Sequence, residues 1–178
     1  MTKIVFSGFG GQGILTLGQV VATIAMNKGR QVTWMPSYGA EMRGGTANCA
    51  VIISDGVIGS PIVQSDIDIL CAMNPPSINK FIGGIKAGGQ VYVNTSIIKD
   101  PIPRDDINKI YIDASNIATH VGNIRVANMV MLSGFLAHTK LFTLEDIEEV
   151  LQSAFKSRNA ALIPLNLEAI RQGLVSIT

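Results

Sequence analysis

Gly8, Gly10 and Gly13 stand at G-x-G-x-x-G spacing between the apolar run Ile4-Val5-Phe6 and the apolar pair Ile14-Leu15. Glycines in that pattern, where a strand turns into a helix, let the backbone approach a phosphate closely and aim amide N–H groups at it. Gly11 and Gln12 complete the stretch "GFGGQG". A dinucleotide site also needs an acidic residue about 20 positions further on, to hold the ribose hydroxyls. The sequence there reads "VTWMPS" and offers no Asp or Glu, so a nicotinamide dinucleotide loses its ribose anchor. A phosphate-binding lysine of the Walker type is missing too, since Ile14 follows Gly13 directly. Two readings stay open: a close strand-to-helix turn beside another subunit, or a helix N-terminus that holds an anion such as a cofactor phosphate.

A second stretch, "PSYGAEMRGGTANC", gathers Ser37, Tyr38, Gly39, Glu41, Arg43, Gly44 and Gly45 into one loop. Arg43 can pair bidentately with a phosphate or a carboxylate, with Glu41 holding it in position; the alternative is that the two simply pair with each other on a solvated loop. The tyrosine and the flanking glycines favour an interface or ligand role.

No self-contained catalytic set emerges. His120 and His138 lie near no Ser, Cys or carboxylate in a nucleophilic arrangement and read as capping or core residues. Asp66 and Asp68 flank Ile67 as a solvated strand entry, and Asp105-Asp106 reads as a turn. Cys49 and Cys71 are too far apart for a C-x-x-C clip and too few for an iron–sulfur cluster or a structural zinc. They read as buried small apolar residues in a reducing compartment. The expectation is that this chain alone carries no catalytic residue, no metal and no cofactor.

The elements that must position these residues follow from periodicity. Residues 3 to 7 form a strand buried on both faces, and Ile14, Leu17, Val21 and Ile24 fall on one helical stripe that ends at Lys28-Gly29. Gln31 to Met35 is a second strand, so the first 36 residues read as a β-α-β unit with a right-handed crossover. Thr46 to Ser54 is a long strand, and Asp55-Gly56 signals a hairpin returning through Val57-Ile58. Strands follow at 67–73, 88–95 and 109–114, with a helix opened by Pro75 or Pro76. The C-terminal third is helical: an almost wholly apolar helix over 126–138, one opened by a Thr143–Asp146 capping box, and a last helix from Pro164 to Gln172 ended by Gly173. The fold expected is α/β in three layers, a mostly parallel sheet with an antiparallel hairpin insertion, in one domain spanning residues 1–178.

Composition bounds the partners. With 47% hydrophobic and 15% charged residues, the chain is rich enough in apolar surface to imply a protein partner. A formal net charge of +1 with no Lys/Arg cluster argues against nucleic acid and acidic lipid. No apolar run approaches the roughly 20 residues of a membrane span, and no charged segment followed by an apolar stretch suggests a signal peptide. A cytoplasmic protein that can self-associate when isolated is the expectation.

"GFGGQGILTLGQVVATIA", "PSYGAEMRGGTANCAVIIS" and "DILCAMN", in this order, closely resemble the gamma subunit of the 2-oxoacid:ferredoxin oxidoreductases. "NMVMLSGFLA" and "NLEAIRQG" resemble its C-terminal helices, so the likeness covers essentially the whole chain. It implies one subunit of a complex that converts a 2-oxo acid and coenzyme A to acyl-coenzyme A, CO2 and reduced ferredoxin, with the 2-oxoglutarate or branched-chain type favoured. In that family thiamine diphosphate, Mg2+ and iron–sulfur clusters are held with alpha, beta and delta subunits, and ferredoxin meets the complex rather than this chain. The gamma-type chain would cover the active site and offer a surface for coenzyme A. The resemblance carries the glycine loop to Gly8, Gly10, Gly11, Gln12 and Gly13, and the second motif to Ser37, Tyr38, Gly39, Glu41, Arg43, Gly44 and Gly45. Arg43 would then contact a coenzyme A phosphate or a partner carboxylate, and Gln12 would hydrogen-bond across the subunit interface. The small subunit of indolepyruvate:ferredoxin oxidoreductase shares the GGQG and RGG motifs and stands as an alternative. A stand-alone NAD(P)-binding protein is the alternative of another class.

Overall fold

The computed structural model describes residues 1–38, 46–155 and 161–177. Six strands make one sheet: β1 (Thr2–Phe9), β2 (Gln31–Tyr38), β3 (Thr46–Ser54), β4 (Ile67–Ala72), β5 (Ile85–Asn94) and β6 (Asn108–Ile112), in the spatial order β2-β3-β1-β4-β5-β6. The pairs β1–β4, β4–β5 and β5–β6 are parallel, whereas β3 runs antiparallel to both of its neighbours. Five strands therefore share one direction, and β3 alone opposes them.

Two sequence expectations are corrected here. The antiparallel partner of β3 is not a return strand at Val57-Ile58, which forms no strand and leaves Val57 91% exposed. Its partners are β1 and β2, each over eight residues. Nor does the strand opened by Gln31 end at Met35, since β2 runs on through Tyr38; the first β-α-β unit forms, with β1 and β2 parallel and β3 between them. The Asp-Gly pair lost to a stronger signal: only insertion between two strands gives alternate residues Cys49, Val51 and Ile53 a buried face.

Among the described residues six α-helices cover the sheet: α1 (Ile14–Asn27), α2 (Pro75–Phe81), α3 (Ala114–Val121), α4 (Ala127–His138), α5 (Leu144–Phe155) and α6 (Leu162–Ile177). On one face α1, α3, α4, α5 and α6 bury Ile4, Phe6, Cys71 and Tyr92. Phe135 of α4 stacks on Tyr92 at 4.7 Å and on Phe6 at 5.5 Å between ring centroids, which ties the helix to both β1 and β5. On the other face α2 and the 95–107 connection cover Val5, Leu70 and Val91. The expected stripe of α1, Ile14, Leu17, Val21 and Ile24, is buried as predicted.

Local signals account for most helix ends. Asn74 caps α2 by accepting from the Ser77 N–H at 3.0 Å, with Pro75 at the first helical position. The Thr143–Asp146 box forms in both directions, the Thr143 N–H donating to Asp146 Oδ2 at 2.7 Å and the Asp146 N–H to Thr143 Oγ1 at 3.3 Å. Gly173 does not end α6, which continues to Ile177. A Cβ at that position would lie 3.0 Å from the Val130 carbonyl oxygen and press into Ser133, so the glycine serves the close crossing of α6 on α4.

Candidate functional site

β1 delivers the glycine loop at its carboxyl end. Gly11 and Gly13 adopt left-handed backbone, φ 94° and 72°, and Gly13 stands at the N-cap of α1 with no side chain capping that helix. The loop closes on itself through Gln12, whose Oε1 accepts from the Phe9 N–H at 2.6 Å while its own N–H donates to the Phe9 carbonyl at 3.2 Å. Gly8 is needed because a Cβ there would lie 2.6 Å from Gln12 Oε1 and 2.8 Å from the Ile14 side chain. From the far end of the chain, Asn128 at the start of α4 donates from Nδ2 to the Gly13 carbonyl at 3.1 Å.

This geometry bears on the nucleotide question. The Phe9 N–H is already taken by the loop's own glutamine. The ribose-binding residue of a dinucleotide fold sits at the end of the strand beside the first, and here that neighbour is the antiparallel β3. Both observations weigh against a dinucleotide on this loop.

The sheet register brings the two sequence motifs together. Gly8 pairs with Ala47, which on its other side pairs with Tyr38; Ser7 pairs with Asn48, which pairs with Ser37. The glycine loop and the end of β2 thus open at one edge of the sheet, and Ser37 is exposed there. Gly39, Glu41, Arg43, Gly44 and Gly45 lie outside the described residues.

At the same edge, on the side of β4 and β5, a crevice of about 230 Å³ runs between Gly11 and Gln12, Met73, Ile97, Ser115 and the turn Ile124-Arg125. Arg125 is exposed and forms no ion pair with a described residue. Sequence reasoning missed it because nothing in "GNIRVAN" announces that the fold returns this turn to the glycine loop.

His120 Nδ1 meets the Asn116 carbonyl at 2.8 Å and His138 Nδ1 the Gly134 carbonyl at 3.1 Å, each in the last turn of its helix. Asp68 is more than a solvated strand entry: it accepts from the Lys3 N–H at 2.7 Å and pairs with Lys86, pinning the start of β4 to β1 and β5. Cys49 and Cys71 occupy the strands on either side of Phe6, both fully buried, and burial pushes the Cys49 thiol up to about 12 and the Cys71 thiol further still. Thiols held protonated in a closed core do not suit an iron–sulfur cluster, and among the described residues no three His, Cys, Asp or Glu converge. No helix among the described residues is long and apolar enough to cross a membrane.

Comparison with known proteins agrees with this architecture. A family model described as pyruvate ferredoxin/flavodoxin oxidoreductase matches residues 3–175. The ketoisovalerate oxidoreductase subunit VorA of Methanothermobacter marburgensis is 34% identical over 172 residues, covering 96% of this chain but 35% of that protein. The 2-oxoglutarate synthase subunit KorC of the same organism is 31% identical over 182 residues, covering 96% of this chain and 97% of the relative. The crystal structure of the keto/oxoacid ferredoxin oxidoreductase gamma subunit from Geobacter sulfurreducens superposes with a TM-score of 0.83 at 30% identity, covering 99% of this chain and 98% of that one. With a family model matched over residues 3–175 and a relative at 31% identity covered almost end to end, the chain belongs to the pyruvate ferredoxin/flavodoxin oxidoreductase family.

Proposed function

We propose that the chain is the gamma-type component of a 2-oxoacid:ferredoxin oxidoreductase that converts a 2-oxo acid and coenzyme A to acyl-coenzyme A, CO2 and reduced ferredoxin. The observation that carries this reading is the end-to-end match with KorC, a relative of nearly the same extent that is itself a named subunit of a 2-oxoglutarate synthase. VorA supports the branched-chain type equally well, so the substrate class is a 2-oxoglutarate or branched-chain 2-oxo acid. Thiamine diphosphate, which supplies the decarboxylation chemistry, would reside with its Mg2+ and the iron–sulfur clusters on alpha, beta and delta partners. That division fits two buried, protonated thiols on this chain.

The chain's own contribution is assembly and the approach of coenzyme A. Its motif-bearing edge, where the glycine loop meets the end of β2, is the surface offered to partners. Arg43 would supply the charge for a coenzyme A phosphate or a partner carboxylate, with Glu41 orienting it. Two tests bear on this. Anaerobic purification of the tagged chain from its host should recover larger partners, a brown iron–sulfur absorption and thiamine diphosphate; a colourless homo-oligomer that binds NAD(P) would overturn the reading. In the recovered complex, Arg43→Ala should raise the KM for coenzyme A or reduce partner recovery, and a variant that leaves both untouched removes Arg43 from the site.

A further inference from the structure

We propose that the crevice between Gln12, Ser115 and Arg125 binds a small organic anion, one carboxylate or phosphate head on a short apolar body, with Arg125 as the charge partner. This proposal does not depend on the assembly reading.

Its position comes first. The crevice lies outside the carboxyl ends of the four mutually parallel strands β1, β4, β5 and β6, reached respectively by Gln12, Met73, Ile97 and Ser115. From β1 the chain passes to one side of the sheet to build β2 and β3, then crosses to the other side for β4. Open α/β sheets bind their ligands outside the strand ends where such connections diverge, because the two loops part there and leave a cleft.

The lining selects the ligand. Met73, Ile97 and Ile124 are apolar, and Ile124, 54% exposed at the mouth, offers an apolar surface for a short hydrocarbon body. Gln12 and Ser115 supply polar contacts, and the Gln12 amide nitrogen stays available because its oxygen serves the loop. Among the described residues Arg125 is the only charged side chain on the wall, and no described carboxylate lines the crevice. The nearest acid in sequence, Asp113, is taken up by Ser96 Oγ at 2.6 Å and Asn116 Nδ2 at 3.0 Å. A few polar groups converging on an otherwise apolar cleft is the composition of a small-molecule site. At about 230 Å³ the space falls below the roughly 300–1,000 Å³ of pockets that take drug-sized molecules, so a whole dinucleotide is too large and a short-chain acid or alkyl phosphate fits.

The test is a titration of the 15N-labelled chain with isobutyrate and, separately, with propyl phosphate. Saturable shifts of the Gly11, Ser115 and Arg125 amides are expected with at least one probe, and the probe that binds identifies the head group. Arg125→Met should weaken that binding about tenfold or more while leaving the thermal midpoint unchanged, since the side chain is exposed. Absence of saturable shifts with both probes overturns the proposal, and so does binding that Arg125→Met does not weaken.

Discussion

The amide of Asn128 reaches across 115 positions of sequence to donate to the carbonyl of Gly13 at 3.1 Å, while its Oδ1 accepts from the Met129 N–H at 2.9 Å. One buried side chain thus fastens the glycine loop to the first turn of α4. A Cβ on residue 13 would lie 2.5 Å from Asn128 Nδ2, so the loop and the helix meet at van der Waals contact only because that residue is glycine.

Substitution at this contact should be costly and coupled. Gly13→Ala combines a left-handed backbone, about 1–2 kcal/mol, with overpacking of about 1–3 kcal/mol. Asn128→Ala removes this bond, about 0.5–1.5 kcal/mol, while the Gly13 carbonyl keeps the Leu17 N–H at 3.0 Å. The double variant should lose less than the two single losses together, because Asn128→Ala clears the space that the new methyl needs. Urea denaturation of the four proteins measures this; strictly additive losses would show that the two residues do not interact.

In α1, Gly18→Ala should destabilise, against helix propensity. Propensity alone favours alanine by about 1 kcal/mol. A Cβ there, however, would press into the Cys49 sulfur and lie 3.2 Å from Trp34 Nε1, in a core where overpacking costs about 1–3 kcal/mol. Placed in a Cys49→Ala background, the same change should recover most of the loss. A gain in stability from Gly18→Ala alone would show that α1 shifts off the sheet without penalty.

The buried thiols fix a sign for alkaline stability. Burial raises the folded pKa of Cys49 to about 12, whereas a thiol in the unfolded chain ionises near the ordinary value of about 8.5. Ionisation therefore favours the unfolded chain. The contribution to stability is whole below about pH 8.5 and declines as pH rises from there toward the folded pKa, by up to about 1.4 kcal/mol per pH unit for each thiol. Cys71, raised in the same direction, adds to it. The difference in denaturation free energy between the native chain and Cys49→Ala should shift with this slope from pH 8 to 10. A difference independent of pH would mean that the thiol ionises in place.

The sequence carried the local features well because each rests on neighbours within one turn. The α1 stripe, the Thr143–Asp146 box and the proline entry to α2 all depend on residues three or four apart. What it hid were consequences of remote contact. The Asp55-Gly56 pair has the chemistry of a hairpin, but the strand before it was claimed by β1 and β2. Gly173 has the chemistry of a helix stop, but it sits where α6 crosses α4. The helix α3 went unread because "ASNIATHV" carries only Ala114 and Ala118 as buried residues, too little apolar surface for a stripe. Ser37 and Tyr38, read as loop, extend β2 past Pro36, whereas the glycine turn after β1 was legible from residue type. Asn128 as a clasp and Arg125 as a wall were not, since neither role has a sequence signature.

The antiparallel strand β3 also dictates an order of events when the chain is made. β1, α1 and β2 leave the ribosome before β3, yet in the folded sheet the two strands do not pair with each other, because the slot between them belongs to a segment that follows. Until β3 arrives, β2 is an open edge with nothing to hydrogen-bond. Its insertion then completes sixteen register positions at once, eight on each side. Completion of this half of the sheet therefore waits for Thr46–Ser54, and a chain interrupted before Thr46 would hold an unpaired strand exposed to the wrong partner.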